Sequence, residues 1–146
     1  MKVAIIGAGA YGTALGGILA DNGYDIDYYD THLERERLSN VIADAKAIVI
    51  CVPSSAMSHV TPYLPKDKPI IVATKGILTD TSLRNFKDWM VISGPGYAAD
   101  MKNGKTTHLT ATDQRIVKMF STDYLDFDQT TDKKGVLMCG ALKNVY

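Results

Sequence analysis

Val3-Ala4-Ile5-Ile6-Gly7-Ala8-Gly9-Ala10-Tyr11-Gly12 is the stretch whose reading decides the fold. Four apolar residues read as a short buried strand, and G-x-G-x-x-G follows at once. Ala14, Leu15, Ile18 and Leu19 then recur at helical spacing, so the glycines stand between a strand and the start of a helix. Only in that context does the motif carry a mechanism. The first glycine permits a tight turn, the second lets the backbone approach a pyrophosphate, and the third lets the helix pack closely on the strand. N–H groups at the helix start and the helix dipole favour an anion there. Asn22-Gly23 ends the helix, because glycine accepts the left-handed conformation of a C-terminal cap. Tyr24 to Tyr29 alternates aromatic and acidic residues as a second strand, and Asp30 closes it, 23 residues beyond Gly7. A carboxylate at that point can accept hydrogen bonds from ribose hydroxyls and would repel the extra phosphate of NADP. The nearest arginine, Arg35, lies five residues on, so the pattern favours NAD, with NADP as the alternative.

Outward from this stretch, strands and helices alternate. Residues 32–45 read as an amphipathic helix. Ala47-Ile48-Val49-Ile50-Cys51-Val52 is the strongest buried-strand signal, a β-branched run suited to a central parallel strand covered on both faces. Residues 54–61 form a short helix. Ile70-Ile71-Val72-Ala73 and Met90-Val91-Ile92-Ser93 are further strands, with a weak helical pattern over 79–87 between them. His108 to Thr112 and Tyr124 to Asp128 are more polar strands toward an edge, joined by a helix over 113–120. Residues 132–145 close the chain as a helix. The alternation argues for one α/β domain over 1–146, an open, doubly wound, mostly parallel sheet. Met57, Met90, Met101, Met119 and Met138 read as core filler.

The 146 residues are the size of one domain, 46% apolar and 22% charged, with 16 basic and 16 acidic residues. That balance argues against a nucleic-acid binder relying on bulk positive charge. No apolar run reaches the ~18–20 residues that span a bilayer, and the short N-terminal run meets glycine too soon for a signal peptide. Cys51 and Cys139 lack a CxxC or Cys/His spacing, so neither a disulfide framework nor a metal site is expected. The expectation is a cytoplasmic chain with reduced thiols.

In open α/β sheets ligands bind beyond the carboxyl ends of strands. Pro53-Ser54-Ser55, Thr74-Lys75-Gly76 and Gly94-Pro95-Gly96 fall there. Lys75 could reach an anionic substrate or a carbonyl oxygen; it could equally be a solvated lysine. Gly94 and Gly96 could bring backbone N–H groups to a ligand or simply form a turn. In the last helix Val136, Gly140 and Lys143 share a face, so the lysine has room for a ligand beside it. A lysine near a helix C-terminus is also what the dipole favours. His32, His59 and His108 read as surface residues. The acids at 25, 27 and 30 read as a solvated edge rather than an acid/base pair.

Taken in order, Gly7-Ala-Gly-Ala-Tyr-Gly-Thr-Ala-Leu, Val52-Pro53-Ser54, Ala73-Thr74-Lys75-Gly76, Ser93-Gly94-Pro95 and Gly140-Ala-Leu-Lys-Asn-Val resemble the N-terminal domain of NAD(P)-dependent glycerol-3-phosphate dehydrogenase. The resemblance covers nearly the whole chain. It implies a Rossmann-type fold and an oxidoreductase that interconverts dihydroxyacetone phosphate and sn-glycerol 3-phosphate, in glycerol-3-phosphate metabolism and phospholipid biosynthesis. By the same resemblance Lys143 matches the catalytic lysine, and Lys75 a lysine touching both substrate and cofactor. Ala10, Tyr11, Thr31 and Ala98 match cofactor contacts. Gly94 and Gly96 match substrate-side positions, and Asn144 follows the catalytic lysine.

The chain also departs from that pattern. Gly96 stands where the family has Ser or Thr. The segment between the second strand and Ile48 is short, as if a loop and a strand were trimmed, and the turn after Gly76 is trimmed too. The family continues past the Lys-Asn pair into a helical domain that holds the substrate phosphate, whereas here Val145 and Tyr146 follow. The expectation is therefore a chain that binds NAD(H) and alone turns over weakly or not at all. Leu137, Met138, Ala141 and Leu142 would pack partly on the sheet and partly against a separate C-terminal domain or a second copy in a homodimer. A catalytically silent dinucleotide-binding module, and a related reductase acting on a 2-keto acid, are the alternatives.

Overall fold

The computed structural model describes residues 1–30, 38–74, 83, 86–94 and 98–143, with backbone alone at 98–99 and 139–143. A seven-stranded sheet forms the middle layer. Its strands are β1 (Lys2–Ile6), β2 (Asp25–Tyr29), β3 (Ala47–Ile50), β4 (Ile70–Val72), β5 (Trp89–Ser93), β6 (Thr107–Ala111) and β7 (Leu125–Gln129). They lie in the order β2-β1-β3-β4-β5-β6-β7. β1 to β5 are mutually parallel, β6 pairs antiparallel with β5, and β7 is parallel to β6. The doubly wound, mostly parallel sheet is as expected, with the two polar strands at one edge.

Helices cover both faces because β1 feeds both. Val3 and Ile5 point into one apolar cluster with Ala14, Leu15, Ile18 and Leu19 of α1 (Ala10–Asp21). Ala4 and Ile6 point into another with Leu38, Val41 and Ile42 of α2 (Leu38–Asp44). The period-2 alternation of a strand does this, and it requires every position of β1 from Val3 onward to be apolar. Those four residues are all at 0% exposure. Burying a side chain of this kind contributes about 1.5–3 kcal/mol. The α1 face also holds α4 (Ala98–Lys102), which packs on α1 through Met101, and α5 (Gln114–Met119), whose Ile116 and the following Phe120 are fully buried. The opposite face holds α3 (Met57–Val60) and α6 (Lys133–Lys143), the latter packed on β5. Single 3-10 turns flank α3 at Ser54–Ala56 and Thr61–Tyr63.

Some details differ from the sequence reading. α4 is a helix that the sequence pattern did not reveal, being five residues long with a single buried apolar side chain described, Met101. β3 stops at Ile50 rather than Val52. Four of the five methionines named above are core residues, but Met138 is 65% exposed. It follows Val136 and Leu137, which take the sheet-facing stripe of α6, so helical rotation carries Met138 outward. The expected helix over 32–45 is seen from Leu38 onward. Its first part, and most of the 79–87 pattern, lie outside the described residues. Among the described residues no helix is long and apolar enough to cross a membrane.

Local polar contacts fasten the elements. Asn22 closes α1 and donates its side-chain amide to the carbonyls of Met119 and Ser121, at 2.9 and 3.0 Å. Lys68 donates to the carbonyls of Ile42 and Ala43 at the end of α2, at 2.9 and 3.0 Å, where a cation suits the helix dipole. Arg115 grips Asp88 through both terminal nitrogens, at 2.7 and 2.6 Å, and also bonds Asp113. This ties the start of α5 to the start of β5. The guanidinium hydrogen bonds hold the Asp88 carboxyl below the usual carboxylate range, and hold Asp113 at about 2.

Candidate dinucleotide site at the switch point of the sheet

α1, which follows β1, and α2, which follows β2, pack on opposite faces of the sheet, and in such open sheets ligands bind beyond the carboxyl ends of the strands at the point where the winding reverses. The glycine loop occupies this point. Gly7 has φ 106°, a conformation that side-chain-bearing residues rarely adopt. A Cβ on it would also stand 2.9 Å from the Cys51 carbonyl carbon. Gly12 is tighter, since a Cβ there would run into the carbonyl oxygen of Gly7. These two contacts let the N-terminus of α1 sit directly on the turn. At Gly9 a Cβ would meet nothing within 4 Å among the described residues.

Gly9 caps α1 without a side-chain hydrogen bond. The first-turn amides, including those of Ala10 and Gly12, precede the first intrahelical bond, which runs from the Thr13 amide to the Gly9 carbonyl at 3.0 Å. Thr13 Oγ1 also donates to the Gly9 and Ala10 carbonyls, at 2.9 and 3.1 Å. The loop thus presents N–H groups outward and ties its carbonyls back. An anion such as a pyrophosphate fits this donor set.

Asp30 is drawn into the same place. Its Oδ2 accepts the Ala8 N–H at 2.9 Å, and the neighbouring Gly7 N–H donates to the Tyr29 carbonyl at 2.8 Å. The structure therefore brings together Gly7, Gly9, Ala10, Gly12 and Asp30. The reading of Asp30 as part of a solvated edge does not hold: Asp25 is exposed, but Asp30 is half-buried against the loop. Tyr11 contributes its backbone to the loop, while its ring packs on the core beside α1 and its hydroxyl is buried. The cause is helical spacing, since Tyr11, Ala14, Leu15 and Ile18 form one stripe. Burial, with the Cys51 thiol nearby as a smaller cause, holds the Tyr11 phenol well above its usual range, and raises that of Tyr28 in the same way.

The carboxyl ends of β3, β4 and β5 lie on the same edge of the sheet as that of β1. Ala73 N–H donates to the Ile50 carbonyl at 2.8 Å, and Thr74 is buried with its hydroxyl 3.4 Å from that oxygen. The chain is therefore anchored up to the residue before Lys75. Gly94 follows β5, close against β6: a Cβ there would lie 2.8 Å from the His108 carbonyl. α6 begins beside Trp89, with Lys133 Nζ 4.6 Å from the ring centroid. It is eleven residues long, a rise of roughly 16 Å, and packs on β5. Thr31, Lys75, Gly96 and Asn144 lie outside the described residues, as do the side chains of Ala98 and Lys143. The sequence reading did not identify the Ala8–Asp30 bond or the Arg115 clamp, because each joins segments distant in sequence. His108 is exposed, as expected of a surface residue, and its Nε2 lies 2.6 Å from Asp128 across two parallel strands.

Residues 25–117 match the family described as NAD-dependent glycerol-3-phosphate dehydrogenase N-terminus. The chain belongs to that family. Among curated relatives, glycerol-3-phosphate dehydrogenase [NAD(P)+] of Leptospira biflexa is 32% identical over 194 residues, covering 99% of this chain and 58% of the relative. That alignment is longer than the chain itself, so the relative carries residues between the matched segments that this chain lacks. The chain spans under three-fifths of the length of such relatives. The solved glycerol-3-phosphate dehydrogenase of Saccharomyces cerevisiae superposes with a TM-score of 0.82 at 17% identity, covering 99% of this chain and 60% of that one. An imine reductase of Streptomyces aurantiacus superposes with a TM-score of 0.75 at 11% identity, covering 99% of this chain and 61% of that one. The Rossmann-type fold of the glycerol-3-phosphate dehydrogenase N-terminal family is thus shared with other reductases.

Proposed function

We propose that this chain is the cofactor-holding part of a glycerol-3-phosphate dehydrogenase, working in the cytoplasm on dihydroxyacetone phosphate and sn-glycerol 3-phosphate. The observation that carries the reading is the loop at the switch point, with Gly9 open, Gly12 pressed on Gly7, and Asp30 bonded to Ala8. The donor set fits NAD(H), with NADP(H) as the alternative. The Gly9, Ala10 and Gly12 backbone would hold the pyrophosphate and Asp30 the adenosine ribose, with Thr31 and Ala98 as further contacts. When bound, the nicotinamide supplies or accepts the hydride.

The rest of the chemistry belongs to the chain. Lys143, at the end of α6, donates a proton to the carbonyl oxygen at C2 during reduction and takes it back during oxidation. Its ammonium also stabilises the developing alkoxide. Lys75, following the anchored Thr74, neutralises substrate charge beside the cofactor. Gly94, Gly96 and Asn144 line the substrate side. The substrate phosphate is held outside these 146 residues, and exclusion of water there accounts for much of the rate.

Titration with NADH tests the cofactor reading, and an assay with NADH and dihydroxyacetone phosphate tests the chemistry. Binding of NADH that dihydroxyacetone phosphate tightens, and that Lys143→Met leaves untightened, supports the enzyme. NADH binding indifferent to substrate and to both lysines marks a silent binding module. Turnover of ketopantoate in place of dihydroxyacetone phosphate marks a 2-keto acid reductase.

A further inference from the structure

We infer that Asp30 is a positioning residue for the phosphate loop as well as a ribose ligand, so that one carboxylate couples both halves of cofactor recognition and makes the discrimination against NADP rigid. This rests on the dinucleotide reading above. Two successive loop amides are held by two successive residues at the end of β2: Gly7 N–H by the Tyr29 carbonyl at 2.8 Å, and Ala8 N–H by Asp30 Oδ2 at 2.9 Å. The first is ordinary strand pairing carried one residue past β1. The second is a side-chain bond spanning 22 residues, and it lies within the turn that Gly7 makes at φ 106°.

A carboxylate bonded to a backbone amide is not free to rotate. A bond between an amide and an ionised acceptor is also stronger than a neutral one. A phosphate on the ribose 2′ position would therefore meet a negative charge that cannot turn aside without releasing Ala8. Release would loosen the turn that holds the pyrophosphate, so the penalty falls on both parts of the ligand.

This differs from simple charge repulsion in a measurable way. If repulsion were the whole account, Asp30→Asn and Asp30→Ala would relieve it equally, and both would gain NADPH affinity. Under the coupling the two variants separate. The Asn carbonyl oxygen still accepts the Ala8 N–H and the charge is gone. Ala removes the acceptor and leaves the loop unsupported.

The test titrates the wild-type chain, D30N and D30A with NADH and NADPH by cofactor fluorescence. Amide exchange at Ala8 is measured by NMR without cofactor. The wild type is expected to prefer NADH by about 100-fold or more, as like-charge juxtaposition dictates. D30N should narrow that ratio to within about tenfold and keep Ala8 protected, with NADH held more tightly than in D30A. D30A should lose at least about tenfold for both cofactors and expose Ala8 to exchange. Equal NADPH gain in both variants with Ala8 exchange unchanged overturns the inference. So does an unchanged cofactor ratio in D30N, which decides the matter if D30A fails to fold. A wild type that binds neither cofactor refutes the dinucleotide reading instead, and Ala8 exchange in the two variants still decides the pinning.

Discussion

Alanine at Gly12 and alanine at Gly17 should move stability in opposite directions, although both glycines belong to α1. In a helix interior Gly→Ala stabilises by about 1 kcal/mol through propensity alone. At Gly17, which is exposed, a Cβ would meet nothing within 4 Å among the described residues. The whole gain should appear there, as a rise in Tm of roughly 3–5 °C for a domain of this size. At Gly12 the Cβ would collide with the Gly7 carbonyl oxygen. That atom is backbone, held by the Gly7 N–H bond to Tyr29 and by Cys51 packed behind it, so it cannot yield as a side chain would. Overpacking costs about 1–3 kcal/mol in cores that can adjust. Here the upper end applies, and after the propensity gain the net loss is about 2 kcal/mol or more. Helix α1 must also lift from the turn, so NADH affinity should fall by at least about tenfold, as when a bound group is misplaced by an ångström or so. Thermal melts and NADH titrations of both variants check this. Equal Tm shifts of the same sign would refute the claim that α1 rests directly on the loop.

Three further outcomes follow from the same contacts. Phe120→Ala empties a fully buried position on the α1 face and should cost about 3–5 kcal/mol in chemical denaturation. NMR titration should find the His108 imidazole above its usual range because its hydrogen bond to Asp128 raises it. Asp128→Asn should bring it back toward the ordinary imidazole range, and the stabilisation the pair gives, present below that range, should vanish as pH rises through the folded pKa. Asp88 and Asp113 are both held low by Arg115, Asp113 at about 2, so their contribution is complete above the ordinary carboxylate range and lost as pH falls toward 2. Arg115→Met should therefore lower stability at neutral pH and flatten that acid-side loss, as followed by circular dichroism.

The sheet was legible in the sequence because its central strands are uniformly apolar. Val3–Ile6, Ala47–Ile50 and Ile70–Val72 are buried on both faces and leave no polar position to confuse the pattern. The glycine loop was legible because its first and third glycines, Gly7 and Gly12, answer local steric needs. α4 was not, since a helix of five residues is too short to show periodicity. The direction of β6 was not legible either. Its pairing with β5 is set by contacts such as the Val91 N–H to Thr112 Oγ1 bond at 2.8 Å, which no local pattern encodes. Asp30 was placed at the right strand end, yet its bond to Ala8 depends on the β1–β2 register, with Ile6 beside Tyr29. Met138 was misjudged because apolar character alone does not say which side of α6 a residue faces.

Ile5 and Ile6 are covalent neighbours, yet they belong to separate apolar clusters on opposite sides of the sheet. The sheet acts as a partition wall, and the two compartments share only its backbone. Cavities opened on the Phe120 side and on the Val41 side should then add without coupling, as distant sites do. A lineage could remodel one compartment freely while the other stayed as it was, so long as the four residues that enter the wall at Val3 remained apolar.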